Sequence, residues 1–148
     1  MLKKISPATR VPLAICGTVL LAAILFYGTP LRYLDPVDPG MQDVDPAALS
    51  AAMQAHPQQY LVLDVRQASA YEAGHIQGAL SEPIANLYDD RFVLPKTGKT
   101  IVLVCGDGRL AAIAYGYLEH YGFLNLLRIS GGLQAWQAEG LPVVKGTS

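Results

Sequence analysis

Cysteine is scarce in this chain: 148 residues hold only Cys16 and Cys105, with no Cys-x-x-Cys pair. That excludes a disulfide framework, a thiolate zinc site and dithiol redox chemistry. The histidines His56, His75 and His120 are scattered and lack ligand spacing, so a histidine metal centre is excluded as well. Basic charge is not in surplus: Lys and Arg number 11 against 12 Asp and Glu, a net charge of -1. A chain so balanced offers no electrostatic footprint for nucleic acid. It has no internal repeat and no low-complexity tract. Its length suits about one domain.

Against these absences stands one long apolar run. Residues 11–27 contain no charged side chain, at the short end of what spans a bilayer. Pro12 suits the first turn of a helix. The residues that follow, Gly28-Thr29-Pro30, make a poor cleavage site for a signal peptide, so the run is expected to stay as a transmembrane anchor. Cys16 lies inside it and reads as a packing or lipid-facing residue. Lys3, Lys4 and Arg10 precede the run, whereas Arg32 stands among Asp35, Asp38, Asp43 and Asp45 after it. The positive-inside rule then puts residues 1–10 in the cytoplasm and the rest across the membrane, in a bacterium the periplasm. Expected localisation is single-pass in the inner membrane. Residues 28–44, rich in Pro and Asp, read as a linker, and 45–148 as the folded domain.

Within that domain helical and strand patterns alternate. Asp45 caps a helix with Pro46 at its first position, ending near His56 and Pro57. Residues 61–65 form a continuous apolar strand, and 67–73 a short helix stopped by Gly74. Residues 78–80 lead into a short strand, and 84–90 make a helical piece. A second strong strand covers 101–104, a helix 109–120 closed by Gly122, a strand 126–129 and a helix 131–139. Continuous apolar strands between helices predict an α/β domain: a small, largely parallel sheet with helices on both faces. Ligands of such sheets bind beyond the carboxyl ends of the strands. Cys105, Asp64-Val65-Arg66 and Ser130-Gly131-Gly132 all follow strands and belong to that rim.

Cys105 is the candidate nucleophile. It ends the run Ile101-Val102-Leu103-Val104 and opens the turn Gly106-Asp107-Gly108-Arg109, just before a helix. The first amides of a helix lack intrahelical partners and the dipole is positive there, so the position favours an anion, a thiolate included. Gly106 and Gly108 allow the backbone to curl close to the sulfur. The plainer reading is that a buried Cys acts as a small hydrophobe.

Four segments together resemble the rhodanese (sulfurtransferase) domain. They are Leu61-Val62-Leu63-Asp64-Val65-Arg66, Tyr71-Glu72-x-Gly74-His75-Ile76-x-Gly78-Ala79, Ile101-Val102-Leu103-Val104-Cys105 with its glycine loop, and Gly131-Gly132-Leu133-x-Ala135-Trp136. They stand in the family's order and spacing across residues 45 to 144. The resemblance implies that Cys105 takes a sulfane sulfur from a small anionic donor such as thiosulfate, as a persulfide. The sulfur then passes to a thiol or to cyanide, in two steps and with ping-pong kinetics. It implies no metal and no organic cofactor. The amides from Gly106 to Leu110 would stabilise the persulfide anion.

The loop departs from the family pattern. The usual Arg five residues after the Cys is Leu110 here, with Arg109 one position earlier and Asp107 adding negative charge. Arg109 is expected either to reach the donor or to be a solvated charge in the first helical turn, a poor place for a cation. Asp107 either disfavours thiosulfate or caps the helix. Substrate-binding candidates are therefore Gly106, Asp107, Gly108, Arg109, Leu110 and, on the neighbouring strand end, Arg66. For Arg66 and Asp64 a scaffold role competes. A phosphatase would place Arg at position 111, which is Ala111, so no guanidinium closes a phosphate cradle. His75 and Trp136 read as structural, and Tyr115, Tyr117 and Tyr121 as packing. Two further readings stay open: a non-catalytic module that carries persulfide or binds a partner, and a redox-regulated domain with Cys105 as sensor.

Overall fold

The computed structural model describes residues 40–147. The expected anchor at 11–27 lies outside the described residues, as does most of the expected linker. Among the described residues no helix is long and apolar enough to cross a membrane.

The chain opens on an edge strand β1 (Asp43–Val44) and helix α1 (Pro46–Ala55), then β2 (Tyr60–Asp64) and α2 (Ala68–Ala73). Next come β3 (His75–Ile76), β4 (Leu80–Ser81) and α3 (Ile84–Asp90). They are followed by β5 (Thr100–Val104), α4 (Arg109–His120), β6 (Leu126–Ile129), α5 (Gly132–Ala138) and β7 (Val143–Val144). Helix α1 starts where the sequence predicts: the Asp45 carboxylate accepts from the Ala48 amide at 3.0 Å, and Pro46 fills the first turn. Gly74 follows α2 with an extended backbone, φ 165°, rather than the left-handed turn expected of a stop glycine. The stop there is the bond from its own N–H to the Tyr71 carbonyl.

Five strands form one parallel sheet in the order β1-β6-β5-β2-β4. Strand β5 lies at its centre, with Val102, Leu103 and Val104 buried on both faces. That is why its sequence is continuously apolar rather than alternating. The chain order turns between β2 and β5: after β2 it moves outward to β4, then returns to build β5 and β6 on the other side. This is a topological switch point, where crossovers leave a crevice at the carboxyl ends.

Alternation along the strands feeds two cores. Leu63, Ile101, Leu103 and Leu126 pack with Leu87 of α3 and Ala111, Ala114, Tyr115 and Leu118 of α4. Val62, Val102, Val104 and Ile129 pack with Leu49 of α1, Tyr71 of α2, and Leu133 and Trp136 of α5. Each fully buried aliphatic side chain contributes about 1.5–3 kcal/mol. Helices on both faces of a parallel sheet are as predicted.

Two small strand pairings are not anticipated by the sequence pattern. Asp43 and Val44, at the end of the stretch read as linker, pair with Arg128 and Ile129. The sheet therefore begins two residues before the expected domain boundary at 45. His75–Ile76 pairs antiparallel with Val143–Val144, and Trp136 donates its indole N–H to the Pro142 carbonyl at 3.0 Å. Together they fasten the last residues of the domain to its middle.

Candidate active site

Cys105 is the first residue past β5. Strand β2 runs on beside it, with the Val65 amide bonded to the Val104 carbonyl at 3.0 Å. The chain then leaves the sheet and turns into α4 through Gly108, whose φ of 92° is in the left-handed region. A Cβ there would also stand 3.4 Å from the Gly131 nitrogen. Gly106 behaves differently from expectation: a Cβ on it would meet nothing within 4 Å. The tight glycine of this turn is Gly108.

The Cys105 sulfur is almost closed off, the residue being 2% exposed. The Gly108 amide donates to Sγ at 3.2 Å. The row of amides expected from Gly106 to Leu110 is only partly turned to the sulfur. The Arg109 amide goes instead to Asp107 Oδ1 at 3.1 Å. Asp107 Oδ1 also lies 3.9 Å from Sγ. Its other oxygen holds the Arg109 guanidinium, at 2.7 Å to Nε and 2.6 Å to Nη2. These bonds from the Arg109 side chain, then from its amide, lower the Asp107 pKa below the ordinary carboxylate value. Leu110 points the other way and packs against the core of α3 and α4. Of the predicted binding residues, then, Gly108 and Asp107 reach the sulfur, Arg109 is tied to Asp107, and Leu110 is packing.

A second loop supports the first from behind. Gly131 and Gly132 both have positive φ, 69° and 63°. They bring the first turn of α5 onto the Cys105 loop, where the Leu133 amide donates to the Cys105 carbonyl at 2.7 Å and the Gln134 amide to the Gly106 carbonyl at 3.0 Å. A Cβ on Gly132 would come to 2.5 Å from the Cys105 oxygen and 2.8 Å from the Gly108 nitrogen. For Gly131 and Gly132 the expected rim placement is therefore met by direct contact.

Arg66 is bound to residues of its own segment. Its Nη2 donates to Asp64 Oδ2 at 2.6 Å and to the Gly74 carbonyl at 2.7 Å, and its Nε to Asp64 Oδ1 at 2.9 Å. Asp64 is wholly buried, and the pair ties the end of β2 to Gly74, the residue after α2. Removing one partner leaves a buried charge uncompensated. We expect Arg66→Ala to lose about 3 kcal/mol, read as a fall in the urea midpoint of unfolding. An unchanged midpoint would refute that role. His75 is buried too. Its ring stacks on Tyr71 at 3.7 Å and its Nδ1 meets the Tyr71 carbonyl at 2.9 Å, as a structural histidine should.

Arg128 is a residue the sequence reading passes over. It stands on β6 opposite Leu103 of β5, two residues before Cys105 on the neighbouring strand. Its guanidinium is bidentate on Asp43, at 2.7 and 2.6 Å. The Asp43 hydrogen bonds raise the Arg128 pKa above the ordinary guanidinium value, burial works against this, and Cys105 adds a smaller upward pull. The available signal is a charge interrupting the apolar strand Leu126-Leu127-Arg128-Ile129.

With this geometry in view, the comparisons with known proteins are specific. The rhodanese-like domain family matches residues 45–139. The thiosulfate sulfurtransferase GlpE of Pseudoalteromonas translucida is 34% identical over 79 residues, 53% of this chain and 73% of that protein. A sulfurtransferase of Allochromatium vinosum is 29% identical over 104 residues, 70% of this chain and 95% of that protein. Among solved structures, a rhodanese-related protein of Thermoplasma volcanium superposes with a TM-score of 0.63 at 31% identity. That match covers 70% of this chain and 97% of the other.

Proposed function

The chain belongs to the rhodanese-like domain family, and from that premise we propose that it is a sulfurtransferase working through a persulfide on Cys105. The observation that carries this is the Gly108 amide aimed at Sγ from a left-handed turn at the carboxyl end of the central strand. Two relatives that bear sulfurtransferase names support it. In the first step the Cys105 thiolate attacks the sulfane sulfur of the donor. A new S–S bond forms on Sγ, the donor's bond to that sulfur breaks, and its electron pair leaves with the departing group. In the second step a thiolate or cyanide attacks the outer sulfur and Cys105 returns as thiolate. The Gly108 N–H faces negative charge on sulfur at both ends of the cycle without reorganising.

The burial of Cys105 favours a second reading, a persulfide carrier that hands its sulfur to one partner and turns over slowly with small acceptors. One experiment separates the two. The fragment from Met41 onward, reduced beforehand, is exposed to a sulfane sulfur donor and then to excess cyanide, and followed by intact mass. Gain of one sulfur, then its loss with multiple turnovers of thiocyanate, supports the enzyme. Gain followed by slow release supports the carrier. No gain from thiosulfate or from an organic persulfide overturns both.

We further propose that residues 11–27 anchor the chain in the inner membrane with the domain on the outer side, from the uncharged run and the flanking charges. The full chain is expected to stay in the membrane pellet through an alkaline carbonate wash. Its release into the supernatant would sink this proposal.

A further inference from the structure

Among the described residues, the arginine of the Cys105 loop and those at the ends of the neighbouring strands are bound to carboxylates. Arg109 holds Asp107, Arg128 holds Asp43 and Arg66 holds Asp64, each at 2.6 Å. Asp107 lies between the Arg109 guanidinium and the sulfur, its Oδ1 3.9 Å from Sγ. Any donor that delivers its sulfur to Sγ must bring that sulfur beside this carboxylate. Thiosulfate arrives with two negative charges and finds each of these cations neutralised. At about 4 Å each unit charge changes binding by about fivefold even in a watery site, and thiosulfate carries two.

Building on the sulfurtransferase reading, we propose that Asp107 is a specificity-determining residue that selects an organic hydropersulfide, R–S–SH, as donor over inorganic thiosulfate. The hydropersulfide presents a terminal sulfur that is neutral when protonated, and Asp107 can accept its S–H. The step balances without an outside reductant. The Cys105 thiolate attacks the terminal sulfur and the Sγ–S bond forms. The donor's S–S bond breaks, and the electron pair leaves on R–S⁻, which takes a proton from water. Cys105 is left as the persulfide. The lowered pKa of Asp107 keeps its carboxylate charged throughout the neutral range.

The test measures kcat/KM for glutathione persulfide and for thiosulfate, with cyanide as common acceptor, in the wild type and two variants. The wild type is expected to favour the persulfide. Asp107→Asn removes the charge, keeps an oxygen for the Arg109 amide, and frees the guanidinium; the thiosulfate-to-persulfide ratio should rise about tenfold. Arg109→Gln strips the carboxylate of its counter-charge and should move the ratio the opposite way. Both shifts should shrink in high salt, since the groups involved are exposed. A wild type that prefers thiosulfate, or an Asp107→Asn ratio within twofold of wild type, overturns the selection. Failure of the wild type with both donors is a different result: it removes the sulfurtransferase reading on which the proposal stands.

Discussion

Cys105→Ser should take up no sulfur from any donor while keeping its fold. The loss should be complete rather than graded, because a hydroxyl at this position cannot form the S–S bond on which both half-reactions depend. The fold should survive because the substitution is nearly isosteric and the new hydroxyl inherits the Gly108 amide, which now donates to Sγ at 3.2 Å. The residue is almost fully buried, so exchanging a thiol for a more polar group costs about 1 kcal/mol. Intact mass after donor treatment and a urea melt would check both halves. A variant that still gains sulfur would place the reactive thiol elsewhere, and Cys16 could then be tested alone. A variant that unfolds would make Cys105 a packing residue first.

Gly132→Ala should be the most damaging substitution outside the cysteine itself. The added methyl would meet the Cys105 oxygen at 2.5 Å, the Gly108 nitrogen at 2.8 Å and the Gly106 carbonyl carbon at 2.9 Å. All three are backbone atoms, so no side chain can swing away. The position also has φ 63°, which costs an L-residue about 1–2 kcal/mol. Forcing the two loops apart adds about 1–3 kcal/mol and breaks the bonds from Leu133 and Gln134. We expect a loss of about 4 kcal/mol in stability together with loss of sulfur uptake. Gly106→Ala is the matched control, since a methyl there meets nothing within 4 Å. Equal behaviour of the two variants would contradict the contact on which the expectation rests.

The sequence was most legible where a long pattern repeats. Helix α4 begins and ends where its apolar spacing and Gly122 place it, and β5 matches its apolar run because burial on both faces leaves little choice of residue. Two-residue strands have no period to read. Hence β1 hid inside a stretch that looked like linker, and the pairing of β3 with β7 was invisible before the fold brought residues 75 and 144 together. The position of Cys105 at a strand end could be foreseen from the residues around it. The direction of the charged side chains beside it could not. Arg109 looked like a candidate ligand for an anion, yet Asp107 two residues away offers its guanidinium a closer partner. Arg128 emerged only from strand register, which puts it near Cys105 across the sheet.

The Cys105 loop takes its shape from a piece of chain that comes much later. Its carbonyls at Cys105 and Gly106 are bonded by Leu133 and Gln134, and its turn at Gly108 rests on Gly131. A graft of residues 105–110 onto another strand–helix junction would therefore transfer the thiol without the shape. Two glycine loops, separated by a helix and a strand, make up the smallest transplantable unit. Anyone building this chemistry into a new scaffold must copy both.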